Sequence, residues 1–180
     1  MKYHIPGGGG ARGYTPFGVE TAKGSQHYDL KEFWHIGREI PDDSRYRPVM
    51  PPNVWPEEVP EFKEYGLALY NALDNLGSRV LAALALHIGL PEDFFADTFG
   101  EPHTLIKIVR YPGTHEPEPQ QGVGAHKDSG VLTLLWVEPG KGGLQVELDG
   151  EWIDIPSIPG GLVVNIGELL EWATGGYLTA

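Results

Sequence analysis

A chain of 180 residues, 41% of them hydrophobic, can bury one core, which sets the scale at one domain or a piece of a larger one. A formal charge of −12 argues against nucleic acid or an anionic membrane as the main partner, and no apolar stretch approaches the ~20 residues of a membrane span. The absence of cysteine excludes disulfide frameworks, zinc fingers and thiol nucleophiles and suits a reducing, cytoplasmic setting.

The 25 glycines and 16 prolines sit mostly between apolar runs, a pattern of turn-rich β structure. Residues 1–28 hold no periodic apolar pattern and no signal-peptide core. Gly7-Gly-Gly-Gly10 reads as a flexible stretch; with no strand before it, it is not a phosphate loop. Asp29-Leu-Lys-Glu-Phe-Trp-His-Ile36 fits a short helix or a strand equally well. Six prolines from Pro41 to Pro60 inclusive make an extended connection. Pro56, Glu57, Glu58 and Glu61 then place acids at the positive end of a helix. Phe62, Tyr65, Leu69, Leu73, Leu76, Val80, Leu84 and His87 recur every three or four residues and predict a helix over about 61–89, this stripe packed on a sheet. Gly89 and Pro91 stop it.

Beyond Pro102 the period changes. Thr104–Tyr111 is β-rich and stops at Pro112-Gly113. A polar, proline-rich loop over 114–121 follows. Val131–Val137, apolar on both faces, predicts a strand buried on both sides. Leu144, Val146 and Leu148 alternate with Gln145 and Glu147, Asp149-Gly150 signals a two-residue hairpin, and Glu151–Ile155 returns. Leu162–Ile166 reads as another buried strand, and Glu168–Ala173 as a helical turn closed by Gly175-Gly176. Several short strands with turn signals between them predict a sandwich, barrel or jelly roll.

The chemistry concentrates at Gly122-Val-Gly-Ala-His-Lys-Asp-Ser-Gly130. In an extended segment, side chains two apart point to one face. His126 and Asp128 can therefore grip one metal ion, as two members of the two-His-one-carboxylate triad of non-haem Fe(II) oxygenases. Glycines 122, 124 and 130 let backbone approach a ligand closely. The other histidines carry plainer readings: His87 complements a helix C-terminus, His35, His103 and His115 pack or face solvent, and His4 and His27 lie in irregular sequence. Tyr111 reads as a packed aromatic with its hydroxyl at the rim. No Gly-X-Ser-X-Gly elbow is present.

The order of motifs resembles a known family. Gly13-Tyr14 through Asp29, Lys31 and Glu32, then Arg110-Tyr-Pro112, His126-Lys-Asp128, Leu132-Thr-Leu134, Gly143-Leu-Gln-Val146, Trp152, Pro159, Val164-Asn-Ile-Gly167, Glu171 and Thr174-Gly-Gly are similar to the isopenicillin N synthase-like family of iron- and 2-oxoglutarate-dependent oxygenases. The resemblance implies a mainly β fold with a helical layer, an incomplete double-stranded β-helix (jelly roll). It implies a loop-rich segment over 1–56 joining the helical layer, and a long helix plus partial jelly-roll core over 57–180. It makes His126 and Asp128 ligands of Fe(II) and Tyr111 a holder of the carboxylate of 2-oxoglutarate, the cosubstrate, with ascorbate as the alternative that one member uses. Where members often carry asparagine two residues before that tyrosine, this chain has Val109.

The family's second histidine ligand follows the Thr174-Gly-Gly motif and, by spacing, is expected about three residues beyond Ala180, with an Arg-X-Ser motif later still. The chain is accordingly expected to be a fragment, inactive by itself. The implied reaction oxidises an unactivated C–H of a small organic substrate (hydroxylation, desaturation or ring closure) with release of succinate and CO2. A non-catalytic jelly-roll module that binds a small molecule, or a defective truncated product, is the competing reading.

Overall fold

The computed structural model describes residues 2–5, 11–20, 29–99, 103–112 and 122–180. The glycine run at 7–10, the loop over 114–121, His27 and His115 lie outside the described residues. The chain divides into two compact units, Met1–Ala125 and His126–Ala180.

In the first unit, strands β1 (Gly13–Thr15), β2 (Glu32–Gly37) and β3 (Leu105–Arg110) form an antiparallel sheet in the order β1-β2-β3. The segment that fits helix or strand is thus a strand in its second half. Pairing decides it: β2 is central, with Trp34 opposite Tyr14 on one side and Ile108 on the other. Its two faces are both put to use. Phe33 and His35 are buried with ring centroids 4.8 Å apart, and the Lys107 ammonium lies 3.9 Å from the Phe33 ring centre. Ile36, wholly buried, and Trp34 meet the long helix.

That helix, α1 (Glu61–His87), begins with Glu61 and Glu64 in its first turn, where acids favour the positive pole. It ends as its sequence predicts: Gly89 takes φ 79°, its N–H bonds to the Leu86 carbonyl, and the Leu90 N–H bonds to the Ala85 carbonyl at 2.9 Å, a Schellman closure. The buried face differs from the expected stripe. Tyr65 is 69% exposed and Leu69 48%, whereas Gly66, Tyr70 and Ala85 are buried; His87 faces solvent. The reason is a close approach at Gly66, where a Cβ would lie 2.8 Å from Ile36 Cδ1 and 3.4 Å from the Trp55 ring. A helix apolar on most sides is turned by the position that lets it come nearest the sheet. Phe62 then packs edge-on to Trp34 (5.4 Å) and Trp55 (6.2 Å), the Tyr70 hydroxyl donates to the Thr104 carbonyl, and Arg38 pairs with Asp74 at 3.0 Å. Helix α2 (Phe94–Phe99) follows, with Phe95 buried.

Among the described residues, charged groups are buried at two places in this unit. The Arg12 guanidinium fills the space a side chain at Gly37 would need. Lys31 and Asp29, each 8% exposed, pair at 2.9 Å; Lys31 also reaches Glu20 at 2.9 Å, and Lys107 meets the same Glu20 oxygen at 3.0 Å. Burial pushes the Glu20 carboxyl up, but hydrogen bonds from Lys31 and Lys107 outweigh it and hold the group below its usual range.

In the second unit, β4 (Leu132–Leu135) pairs antiparallel with β7 (Val163–Ile166), and β5 (Gln145–Leu148) pairs with β6 (Glu151–Asp154). The β5–β6 turn has φ 53° at Asp149 and 85° at Gly150, the paired positive values of a type I′ hairpin. Strands β4 and β7 are half-buried, not buried on both faces, and every residue of β5 and β6 is exposed, including Leu148 and Trp152. Apolar runs and alternation assign faces, but another layer must cover them, and among the described residues none does so fully. Helix α3 (Glu168–Ala173) buries Leu170 completely. It closes on Gly175 and Gly176, whose N–H groups bond to the Trp172 and Glu171 carbonyls, the same Schellman geometry as α1. Among the described residues no helix is long and apolar enough to cross a membrane.

These contacts generate three expectations. Ile36→Ala should cost about 2–5 kcal/mol in chemical denaturation, as a large-to-small change at a fully buried site, and Leu69→Ala about 1 kcal/mol or less; the opposite ranking would mean that α1 presents its other face. Gly167→Ala should destabilise the second unit by about 1–3 kcal/mol, because its Cβ would run into the Gly130 carbonyl, and amide exchange at Glu168 and Leu169 should accelerate. The depressed Glu20 carboxyl contributes stability that is whole above its unfolded value of about 4.3 and is lost as pH falls through the lower folded one. Denaturation midpoints of the parent chain should therefore drop more than those of Glu20→Gln as pH falls below about 4.3; parallel profiles would remove Glu20 from the account.

Candidate metal centre

His126 and Asp128 lie ahead of β4, in irregular backbone outside any ladder; pairing begins only at Leu132. Their side chains nonetheless meet, with His126 Nε2 3.6 Å from Asp128 Oδ1. The imidazole side chain is 53% exposed and the carboxylate 26%, so the pair is open to a solute. Two donors each ~2.1 Å from one ion and at right angles to each other stand about 3 Å apart, so the observed spacing fits a shared metal with a small adjustment.

The backbone around the pair is fixed from the other strand. Gly167 N–H donates to the Val131 carbonyl (3.0 Å), Glu168 N–H to Asp128 (2.8 Å) and Leu169 N–H to Gly130 (3.1 Å). The opening N–H groups of α3, which have no partner within the helix, thus hold three carbonyls of the segment 128–131. Gly167 permits this; its neighbour is backbone, which cannot move aside for a Cβ. One side chain joins in: Asn165 Nδ2 donates to Asp128 Oδ2 at 3.3 Å.

Lys127, between the two candidate ligands, is tied elsewhere. Its ammonium pairs with Glu171 of α3 at 3.0 Å, and the same carboxylate oxygen accepts the Ala180 N–H at 2.9 Å. The Ala180 hydrogen bond, then that of Lys127, hold the Glu171 carboxyl below its usual range.

Tyr111, the candidate cosubstrate holder, belongs to the first unit, just past the end of β3. Its ring lies against Gly122, where a Cβ would come within 2.9 Å of it. Tyr111 is 52% exposed; the partial desolvation of its ring still pushes the hydroxyl above the usual range, with Lys31 opposing and Asp29 and Glu20 reinforcing the shift. The other described histidines keep plainer surroundings: His35 packs on Phe33, His4 Nδ1 lies 3.2 Å from the Tyr14 carbonyl oxygen, and burial lowers the pKa of His103. Among the described residues no group of three or more His, Cys, Asp or Glu side chains is arranged to hold a metal, so His126 and Asp128 fit two positions of a site.

Asn165, Lys127 and Glu171 stand in the string of motifs that carries the resemblance, but nothing in that string assigned them these contacts. One signal was available for Asn165: it is the lone polar residue in Leu162–Ile166, and a polar group in an apolar strand needs a partner.

Two family descriptions match separate parts of the chain: the N-terminal region of non-haem dioxygenases in morphine synthesis over residues 1–58, and the 2OG-Fe(II) oxygenase superfamily over residues 102–180. The chain is 35% identical over 172 residues to the 2-oxoglutarate-dependent dioxygenase caaD of Aspergillus niger, covering 92% of this chain and 53% of that protein. It is 34% identical to homoarginine-6-hydroxylase 2-ODD-C23.1 of Arabidopsis thaliana, covering 98% and 55%. A crystal structure from Caulobacter crescentus, of a protein assigned to the 2OG-Fe(II) oxygenase family, superposes with TM-score 0.87 at 46% identity over 99% of this chain and 58% of that one. A full-length Neurospora crassa protein in complex with alpha-KG superposes with TM-score 0.79 at 27% identity over 94% and 56%. The chain thus spans about half the length of the curated relatives it matches. The motif order, both matched regions and the superpositions agree, and the chain belongs to the isopenicillin N synthase-like Fe(II)- and 2-oxoglutarate-dependent oxygenases.

Proposed function

We propose that this chain supplies the His-X-Asp part of a non-haem Fe(II) site that uses 2-oxoglutarate to oxidise an unactivated C–H of a small organic substrate, by hydroxylation, desaturation or ring closure. The observation that carries this reading is the meeting of His126 and Asp128 at 3.6 Å on an accessible segment. Both would hold the iron as two of its three protein ligands, and Tyr111 would take a carboxylate of the cosubstrate.

Bound together, Fe(II), 2-oxoglutarate and O2 supply the oxidising equivalent, with succinate and CO2 released. The chain's own residues do the positioning. Asp128 brings a negative charge to a divalent cation. The tie of Lys127 to Glu171 keeps an ammonium, adjacent in sequence to one ligand on each side, engaged away from the metal it would repel. Tyr111, its hydroxyl raised by partial desolvation, would be protonated at neutral pH and could donate to a carboxylate of the cosubstrate. A relative named for homoarginine hydroxylation and a Neurospora crassa structure holding alpha-KG and thymine support a small organic substrate, and the reading gives nucleic acid and membranes no part.

The test has two arms. Mn(II) titration of the 180-residue chain, read by electron paramagnetic resonance, should reveal one weak site that His126→Ala and Asp128→Ala each remove, since affinity depends on ligand count. Joining residues 1–180 to the remaining sequence of the 46%-identical Caulobacter protein should give succinate from 2-oxoglutarate with Fe(II), ascorbate and O2, again abolished by either substitution. Metal binding indifferent to both substitutions, with a folded chimera that leaves 2-oxoglutarate intact, would favour a small-molecule binding module instead.

A further inference from the structure

The geometry points to Asn165 as a positioning residue that sets which oxygen of Asp128 faces the metal. This rests on the reading of His126 and Asp128 as ligands and adds to it a residue on another strand.

A carboxylate has two equivalent oxygens and rotates about its Cβ–Cγ bond unless something holds it. At Asp128 the two are distinguished. Oδ2 accepts from Asn165 Nδ2 at 3.3 Å, and Oδ1 is the oxygen 3.6 Å from His126 Nε2. An amide donor on one oxygen leaves the other as the single ligand atom, which favours monodentate over bidentate attachment. Asn165 is well placed for this. It is half-buried in β7, its Cα paired with Thr133 of β4, so its own backbone is fixed by a ladder. Two residues on, Gly167 begins the run of N–H groups that holds the carbonyls of Val131, Asp128 and Gly130. Asp128 is therefore held twice from one continuous segment, at its carbonyl by the Glu168 N–H and at its carboxylate by Asn165. Partners that orient ligating groups in this way commonly alter metal affinity by about 10–100-fold.

The experiment is Co(II) titration of the 180-residue chain, followed by visible absorption, on the parent protein, His126→Ala, Asn165→Leu and Asn165→Thr, with thermal melting of each. Leucine resembles asparagine in shape without a donor, and threonine suits a strand while its hydroxyl is too short to reach Asp128. Both Asn165 variants are expected to weaken Co(II) binding about tenfold or more. They should also change the band shape of the bound form, as a freed Oδ2 lets the carboxylate attach through both oxygens. Failure of one Asn165 variant to fold leaves the other to decide. A folded Asn165 variant with parental affinity and parental band shape, even at a lower melting temperature, overturns the inference and makes Asn165 a packing residue. A parent chain whose Co(II) binding His126→Ala does not change overturns the ligand reading itself, a separate outcome.

Discussion

The second unit depends on one close approach: the carbonyl of Gly130 sits where a side chain at residue 167 would be. With glycine there, the start of α3 slides against the segment before β4, and three N–H groups bond to three carbonyls of 128–131. Each such bond contributes about 1 kcal/mol net. Their larger effect is geometric. They fix the backbone of Asp128 in irregular chain, where no ladder could do so, and they use up donors that a helix start otherwise leaves to solvent. The candidate centre is thus held by the opening of a six-residue helix more than by the strand it precedes.

The first unit is arranged around the same physical device. At Gly66 the helix comes near enough to the sheet to touch Ile36, and at Gly37 the strand makes room for the Arg12 guanidinium. A missing Cβ brings layers into contact, and larger side chains then fill the flanks: Phe62 between Trp34 and Trp55, Tyr70 toward Thr104. Burying Lys31 and Asp29 costs desolvation, offset by their mutual pairing and by Glu20, which Lys107 shares. Removing one member would leave an uncompensated buried charge, which is why these charged side chains from distant parts of the chain stay together.

In the candidate centre, charge is kept apart by tethering. The candidate ligand pair is interrupted in sequence by Lys127, whose ammonium is engaged by Glu171. Glu171 also accepts the Ala180 N–H, so one carboxylate binds backbone beyond its own helix and turns a cation aside. Asn165 adds a neutral donor to Asp128, which orients it without adding charge. Acid, base and amide therefore have separate duties within a few residues of the pair.

Sequence alone settled the local matters. Asp149-Gly150 had to be a tight hairpin turn because both positions take positive φ; Gly89 and Gly175-Gly176 had to close helices for the same reason. The His126-X-Asp128 spacing marked the candidate ligands, and the string of motifs around them marked the family, because each is written in neighbouring residues. Tertiary structure decided what depends on distance. Asp29–Ile36 could pair as a strand only once β1 and β3 flanked it. The buried face of α1 was ambiguous, since apolar residues run round most of the helix, and contact at Gly66 turned it away from Tyr65 and Leu69. The hold of Asn165 on Asp128 spans 37 residues, and no period or spacing encodes a hydrogen bond between segments that only folding brings together.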